Sequence, residues 1–405
     1  MEVKFDVQKF IDKMSGFSST EEDMGVTRLP FSQAQILAEK YIVEVMTALE
    51  LEVYSDAVGT IVGVLPGESD SVILSGSHYD SVPCGGKYDG VAGIAAALKC
   101  VDLIKNTGGK PYYGIAVIAF NDEEGVRFNN GFLSSKTFCG YHKKEDFEKI
   151  VDDKGKSVAE LIGENKKLIT MDIFKYKIES FVEIHIEQGA KLYKNGNSIG
   201  IVEHIVGVWH FLFKFEGNEN HAGTTSMDDR IDPVPLGCRF VSELPKIAKK
   251  YKDSVVTVGK INLNPGAVNV IPSSMECTVD LRLGNKEQAE RMINKIKKLA
   301  QMIVCENKKI KVTCLNFLSA PIVAMNPEVV ERLKNAVEKE GISYIKLDSG
   351  AGHDTQIMAG KLKTGMIFIP SVKGKSHSKE EFTKTEDIIT ASKVLKRYIT
   401  DTYKF

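Results

Sequence analysis

Residues 115–120 read IAVIAF, apolar at every position. A strand with one face in water alternates apolar and polar side chains, so an unbroken apolar run belongs in a sheet covered on both faces. Val72-Ile73-Leu74 repeats the pattern upstream. Between the two runs, Gly90–Leu103 is apolar and alanine-rich, as a buried helix would be. Residues 181–187 (FVEIHIE) add an alternating strand that carries His185 among apolar neighbours. Strands alternating with helices predict an α/β sheet core. An amphipathic helix over 31–50 and strands near 51–54, 60–65 and 72–77 lead into it.

The texture changes near residue 207. "VWHFLFKFEG" alternates as a strand, 232–251 reads as a helix, "SVVTVGKINLNP" and "MECTVDLRLG" as two further strands, and 286–304 as a helix. This is a smaller α+β block, expected over 207–318 and inserted between 1–206 and 319–405. The chain then returns with a helix at about 327–340, a glycine-rich "SGAGHD", the strand "GMIFIP", the loop "SVKGKSHSKEEF" and a closing helix over 384–400. A chain of 405 residues suits two domains.

A net charge of −1 gives no reason to expect nucleic acid or an anionic membrane as partner. Glu2, Lys4, Asp6 and Lys9 interrupt any early apolar region, and no apolar run reaches the roughly 18–20 residues of a membrane span, so a cytoplasmic protein is expected. The seven cysteines are scattered without a CxxC pair, which suits free and mostly buried thiols better than disulfides or a zinc knuckle.

The stretch after the first core strand, "GSHYDSVPCGGKYDGVAG" (76–93), places His78, Asp80 and Asp89 where α/β sheets carry their ligands. Glu123 and Glu124 follow the strand 115–120 in "AFNDEEG", His185 lies on the third strand, and His377 stands in "GKSHSKEE". Singly, each has an ordinary reading: a loop histidine at the surface, or a solvated acidic turn. Jointly they point to a metal. The chain has only eight histidines, and three stand at or beyond core strand ends beside isolated acids. An aspartate two residues past a ligating histidine, as Asp80 is past His78, commonly fixes the ring's tautomer. Mixed imidazole and carboxylate donors suit zinc or another divalent first-row metal, and this many can hold two ions bridged by one carboxylate. Walker A and GxGxxG motifs are absent.

In order along almost the whole chain, "GSHYDSV…YDG", "NDEEGVRF", "FVEIHIEQG", "NHAGTTSMDDRIDP", "NVIPSSMECTVDLR", "SGAGHDTQ" and "SHSKEE" resemble the carbamoylase/ureidase branch of the dinuclear zinc aminoacylase-type amidohydrolases. That branch includes N-carbamoyl-L-amino-acid hydrolase, β-ureidopropionase and allantoate amidohydrolase. The resemblance implies a zinc-exopeptidase-like central sheet flanked by helices, with the inserted block as a lid and dimerisation domain of a homodimer. It implies that Asp89 bridges two divalent ions, most often zinc, with manganese, cobalt or nickel as substitutes. His78 and His185 would complete one site; Glu124 and His377 would complete the other. Glu123 would be the general base, and His221 the lid histidine that stabilises the oxyanion. Asn269 and Arg282 would hold the substrate's carboxylate, Gly352 and His353 would contact substrate, and Gln188 falls at a further site position. The expected substrate is a small ureido acid. Hydrolysis of an N-carbamoyl-L-amino acid to amino acid, ammonia and carbon dioxide comes first and allantoate second. β-Ureidopropionase, aminoacylase or dipeptidase activity and non-catalytic ureido-acid binding are further alternatives. Ser226 stands where the family usually carries proline.

Overall fold

The structure, a computed structural model, describes residues 4–164 and 167–401. They form two compact units. One takes the chain up to Glu203, Met325–Leu347 and everything from Ala351 onward; the other takes His204–Ala324 and Asp348–Gly350.

The first unit opens with a helix over Val7–Ser15 and another over Gln33–Ala48, then strands β1 (Glu52–Ser55), β2 (Ile61–Leu65) and β3 (Ser71–His78). A helix over Val91–Lys105 carries the chain from β3 to β4 (Gly114–Phe120), and β5 (Lys177–Ile186) and β6 (Ile199–Ile205) follow. Val72, Ile73 and Leu74 of β3 and all of β4 are buried, as unbroken apolar runs require. The 91–105 helix is buried almost all round, which its alanines and branched aliphatics permit.

The second unit begins with β7 (Gly207–Glu216) and the two-residue β8 (Asn220–His221). Next come a helix over Val234–Ala248, then β9 (Val255–Thr257), β10 (Ile261–Asn264), β11 (Val270–Ile271) and β12 (Ser274–Leu283). A helix over Lys286–Val304, β13 (Lys311–Ala320) and β14 (Val323–Ala324) complete it. Its sheet runs β10-β12-β7-β13, with β9 also on β12. Phe211, Phe213 and Phe215 alternate on β7 and pack with Phe240, Leu244, Met292 and Ile296 of the helices, with Trp209 half-buried at the edge of this core. "SVVTVGKINLNP" is therefore not one strand. Thr257 pairs with Asp280 and Ile261 with Cys277, so Val258, Gly259 and Lys260 face only Val279 and Thr278. One extra residue makes a bulge, and Lys260 donates its N–H to Thr278 Oγ1 there. The cysteines also differ from expectation. All seven are free, but Cys238, Cys305 and Cys314 are exposed because they lie outside this phenylalanine-lined core.

The first unit resumes with a helix over Pro327–Lys339, β15 (Tyr344–Ser349), β16 (Thr364–Ile369) and a helix over Thr385–Asp401. Its strand order is β1-β2-β4-β3-β5-β16-β6, with β15 beside β6. β3 runs parallel to β4 and to β5, and β16 parallel to β5. β1 and β2 turn back antiparallel because the connection 56–60 is too short for a crossover. The fold is thus α/β with a mixed central sheet flanked by helices. The chain passes from β3 to β4 on one side and returns to β5 on the other, and such switch points open a crevice at the strands' C-terminal ends. Among the described residues no helix is long and apolar enough to cross a membrane.

Candidate active site

His78 is the last residue of β3, His185 the penultimate residue of β5, and Glu123 and Glu124 stand just past β4. The C-terminal ends of three parallel strands therefore deliver four of the seven expected groups to one place. Asp89 arrives on the loop before the 91–105 helix. Gly90 adopts φ +65°, and a Cβ there would strike the carbonyl and ring of His78. Only glycine lets this loop close over β3.

Asp89 faces two ways. Its Oδ1 lies 3.2 Å from His185 Nε2 and 3.9 Å from His78 Nε2. Its Oδ2 lies 3.2 Å from His377 Nε2, which is 3.6 Å from Glu124 Oε1. The His78 and His185 Nε2 atoms are 3.4 Å apart. Donor atoms of His78, Asp89 and His185, and likewise of Asp89, Glu124 and His377, all fall within 4.8 Å of one another. His377 and Gln188 both hold φ in the left-handed region, at 53° and 56°. Non-glycine residues adopt that conformation only where their surroundings enforce it. Gln188 Nε2 donates to both Asp89 oxygens at 3.3 and 3.1 Å.

The tautomers suit ligation through Nε2. His185 Nδ1–H donates to the Ile186 carbonyl at 2.9 Å, and His78 Nδ1–H to the Asp80 carbonyl at 3.2 Å. Each ring thus directs its Nε2 toward Asp89, the atom that would meet a cation once its proton is lost. The Asp80 carboxylate, expected to orient His78, stands further from that ring at 3.6 Å. It instead accepts the N–H groups of Glu123 and Glu124 at 3.0 and 3.2 Å, tying the ends of β3 and β4 together.

Charge is concentrated here. Burial alone would raise the Asp89 carboxyl, but its hydrogen bond with His377 and the neighbouring His185 and His78 hold it well below the usual range. Burial would discharge His78, yet Glu123, Asp80 and Asp89 outweigh it and keep that ring charged. Burial pushes Glu123 well up, opposed by His78 and reinforced by Glu124. Glu124 rises to about 7, by burial and then Asp89. His377 rises to about 9 through its hydrogen bond with Asp89. His78, Glu123, Glu124 and His377 are all shifted toward their protonated forms around the Asp89 carboxylate, and a divalent cation could take the place of those protons. Glu124 Oε1, buried and without a hydrogen-bond partner, fits that reading directly.

Glu183, His185 and His353 also cluster. Glu183, however, already accepts Ser77 Oγ, Thr355 N and Thr355 Oγ1 at 2.7, 3.0 and 2.5 Å. It positions backbone and does not stand ready to ligate. His353 is buried with its ring edge-on to His185, centroids 4.4 Å apart, and Gly352 precedes it beside Phe132 and Gln356.

His221, Asn269 and Arg282 belong to the second unit. β8 pairs with β11, and Ala222 N–H donates to the Asn269 carbonyl, so the first two are brought together. His221 Nδ1 accepts the N–H groups of Gly223 and Thr224 at 3.0 and 3.2 Å, which leaves the ring proton on an outward Nε2. Arg230 braces this turn through the carbonyls of Ala222 and Thr225. Arg282 donates to Asp280 through Nε and Nη2 and to the Gly350 carbonyl through Nη1.

Sequence reasoning missed Glu183, Arg230 and Glu381. Glu381 is buried, and burial with nearby Asp89 pushes it up to about 7. It accepts Tyr88 N, Asp89 N and Ser376 Oγ, all at 2.9 Å. Nothing in "SHSKEE" distinguishes it from exposed Glu380.

The defining pattern of peptidase family M20/M25/M40 matches residues 74–401. The chain is 36% identical over 380 residues to allantoate amidohydrolase of Escherichia coli (strain K12), covering 92% of this chain and 91% of that protein. It is 31% identical over 398 residues to N-carbamoyl-L-amino-acid amidohydrolase of Paenarthrobacter aurescens, covering 96% of each. A crystal structure of a hydantoinase/carbamoylase family amidase from Burkholderia multivorans superposes with a TM-score of 0.89 at 26% identity, over 99% of this chain and 98% of that one. With its histidines and acids gathered at the strand ends and this likeness running nearly end to end, the chain belongs to peptidase family M20/M25/M40 and, within it, to the hydrolases of the carbamoylase and allantoate amidohydrolase branch.

Proposed function

We propose that the chain hydrolyses the carbamoyl C–N bond of an N-carbamoyl-L-amino acid, releasing the amino acid, ammonia and carbon dioxide. The observation that carries this is Asp89, whose two oxygens face different imidazole sets, with the buried Glu123 carboxylate beside His78. Two divalent cations, one held by His78, Asp89 and His185 and the other by Asp89, Glu124 and His377, would polarise the weakly electrophilic ureido carbonyl and acidify the attacking water. Zinc is the favoured ion, with manganese, cobalt or nickel as substitutes.

Glu123 takes the proton from the attacking water and returns it to the leaving nitrogen. Its carboxylate lies 4.0 Å from His78 Nε2, and burial raises it well above the usual carboxylate range, which strengthens it as a base. His221 donates its Nε2–H to the carbonyl oxygen as negative charge develops there. Arg282, with two of its five N–H donors uncommitted among the described residues, binds the substrate carboxylate alongside Asn269. Gln188, Gly352 and His353 contact substrate. The family resemblance further supports a homodimer in which the second unit serves as lid and dimerisation unit.

Allantoate is the second reading, favoured by the 36% identity to the Escherichia coli enzyme. Ammonia release from N-carbamoyl-L- and D-amino acids, 3-ureidopropionate and allantoate, each with and without chelator, tests both readings. Turnover of carbamoyl-L-amino acids that stops with chelator and returns with zinc or manganese is expected. Turnover of allantoate alone transfers the assignment to the second reading. Activity that persists in protein shown by elemental analysis to be metal-free overturns both.

A further inference from the structure

Glu381 is 4% exposed and forms no ion pair with any lysine or arginine among the described residues. A buried carboxylate without a cation is costly unless hydrogen bonds satisfy it. Here Oε1 accepts the consecutive N–H groups of Tyr88 and Asp89, and Oε2 accepts Ser376 Oγ, which itself reaches Asp89 Oδ2 at 3.3 Å. One carboxylate therefore joins two loops distant in sequence: 83–90, which carries Asp89, and 371–383, which carries His377. The fit is close. A Cβ on Gly86 would strike the Glu381 carboxylate, although the Gly86 backbone itself needs no positive φ.

We propose that Glu381 is a positioning residue that sets the spacing between Asp89 and His377, and so tunes the affinity of the cation held by Asp89, Glu124 and His377. The proposal rests on the reading of Asp89 and His377 as metal ligands. The cation beside His78 and His185 depends on it less, because those rings are fixed by backbone carbonyls of β5 and of the β3 end. Outer groups that orient ligands commonly change metal affinity by about 10- to 100-fold.

The test is calorimetric titration of metal-free protein with zinc, together with a count of bound ions. Glu381→Ala should weaken one of two sites by about 10- to 100-fold and leave the other within a few-fold. Glu381→Gln keeps an acceptor for the two N–H groups and should restore most of that affinity, a rescue that a mere packing role would not predict. Gly86→Ala should weaken the same site, yet add little in the Glu381→Ala background, where the obstructing carboxylate is gone. His377→Ala is the control. If it leaves both ions bound as in the wild type, the metal reading itself fails. If it loses one ion while Glu381→Ala and Gly86→Ala bind both normally, the role of Glu381 is overturned. Should Glu381→Ala not fold, Ser376→Ala carries the test: several-fold weakening at one site supports the proposal, and unchanged affinity at both overturns it.

Discussion

Glu123 and Glu124 are consecutive, yet their side chains serve different neighbours. Asp80 accepts both of their N–H groups, one on each oxygen, and this clamp fixes the backbone from which the two carboxylates project. Glu123 turns toward His78 and Glu124 toward His377. Glu123→Gln should keep both ions and lower kcat by about 10²- to 10⁴-fold, since a base is removed and no ligand. Glu124→Gln should lose one ion as well as activity, read by elemental analysis of the two purified variants. Equal metal content in both would break the division of roles. At this scale the sequence was informative where a residue type is rare, as with histidines placed at core strand ends. It was mute where a common acid acts through backbone, as Glu381 and Glu183 do, because their partners are distant in the chain.

The elements that hold these residues were legible in proportion to their burial. β4 is apolar throughout and the 91–105 helix largely so, its buried Lys99 and Asp102 pairing with each other, so burial and sequence give the same message. β6, β13 and β15 escaped notice. β13 is mostly exposed and lacks the alternation that marks a strand. The N-terminal helix at Val7–Ser15 also went unread, yet it is anchored by an unusual device. Arg28 is 1% exposed and donates to the carbonyls of Met14, Phe17 and Tyr79, the last between His78 and Asp80. Burial lowers its guanidinium to about 10, so it stays charged at neutral pH. Arg28→Met should leave those buried carbonyls without donors and cost about 3–5 kcal/mol of stability in denaturant unfolding. A loss below about 1 kcal/mol would mean that water replaces the guanidinium.

For the whole molecule, the change of texture near residue 207 marks an expected block over 207–318, whereas the second unit runs His204–Ala324 and takes a further piece. Asp348–Gly350 returns to it through His204–Asp348 at 2.9 Å, Val206 N–H to the Ser349 carbonyl, and Arg282 to the Gly350 carbonyl, links that no local pattern announces. Arg282 and His221 give this unit its proposed part in catalysis, and the two should fail differently when removed. Arg282→Ala loses a charged hydrogen-bonding partner for the substrate in ground and transition states alike. It should raise KM and lower kcat/KM by about 1.5–3 kcal/mol with metal content unchanged. The modest size follows from exposure: the side chain is 37% accessible, so water covers part of the loss. His221→Ala should act on kcat, by about 10²- to 10³-fold, because the oxyanion it is proposed to serve forms only after water attacks the carbonyl and is absent from bound substrate. Mixing inactive His221→Ala with inactive Glu123→Gln protein then asks which subunit supplies the histidine. Partial recovery in mixed dimers requires His221 to act on the partner subunit's substrate. Mixed dimers that form and stay inactive place His221 with the metal ligands of its own chain.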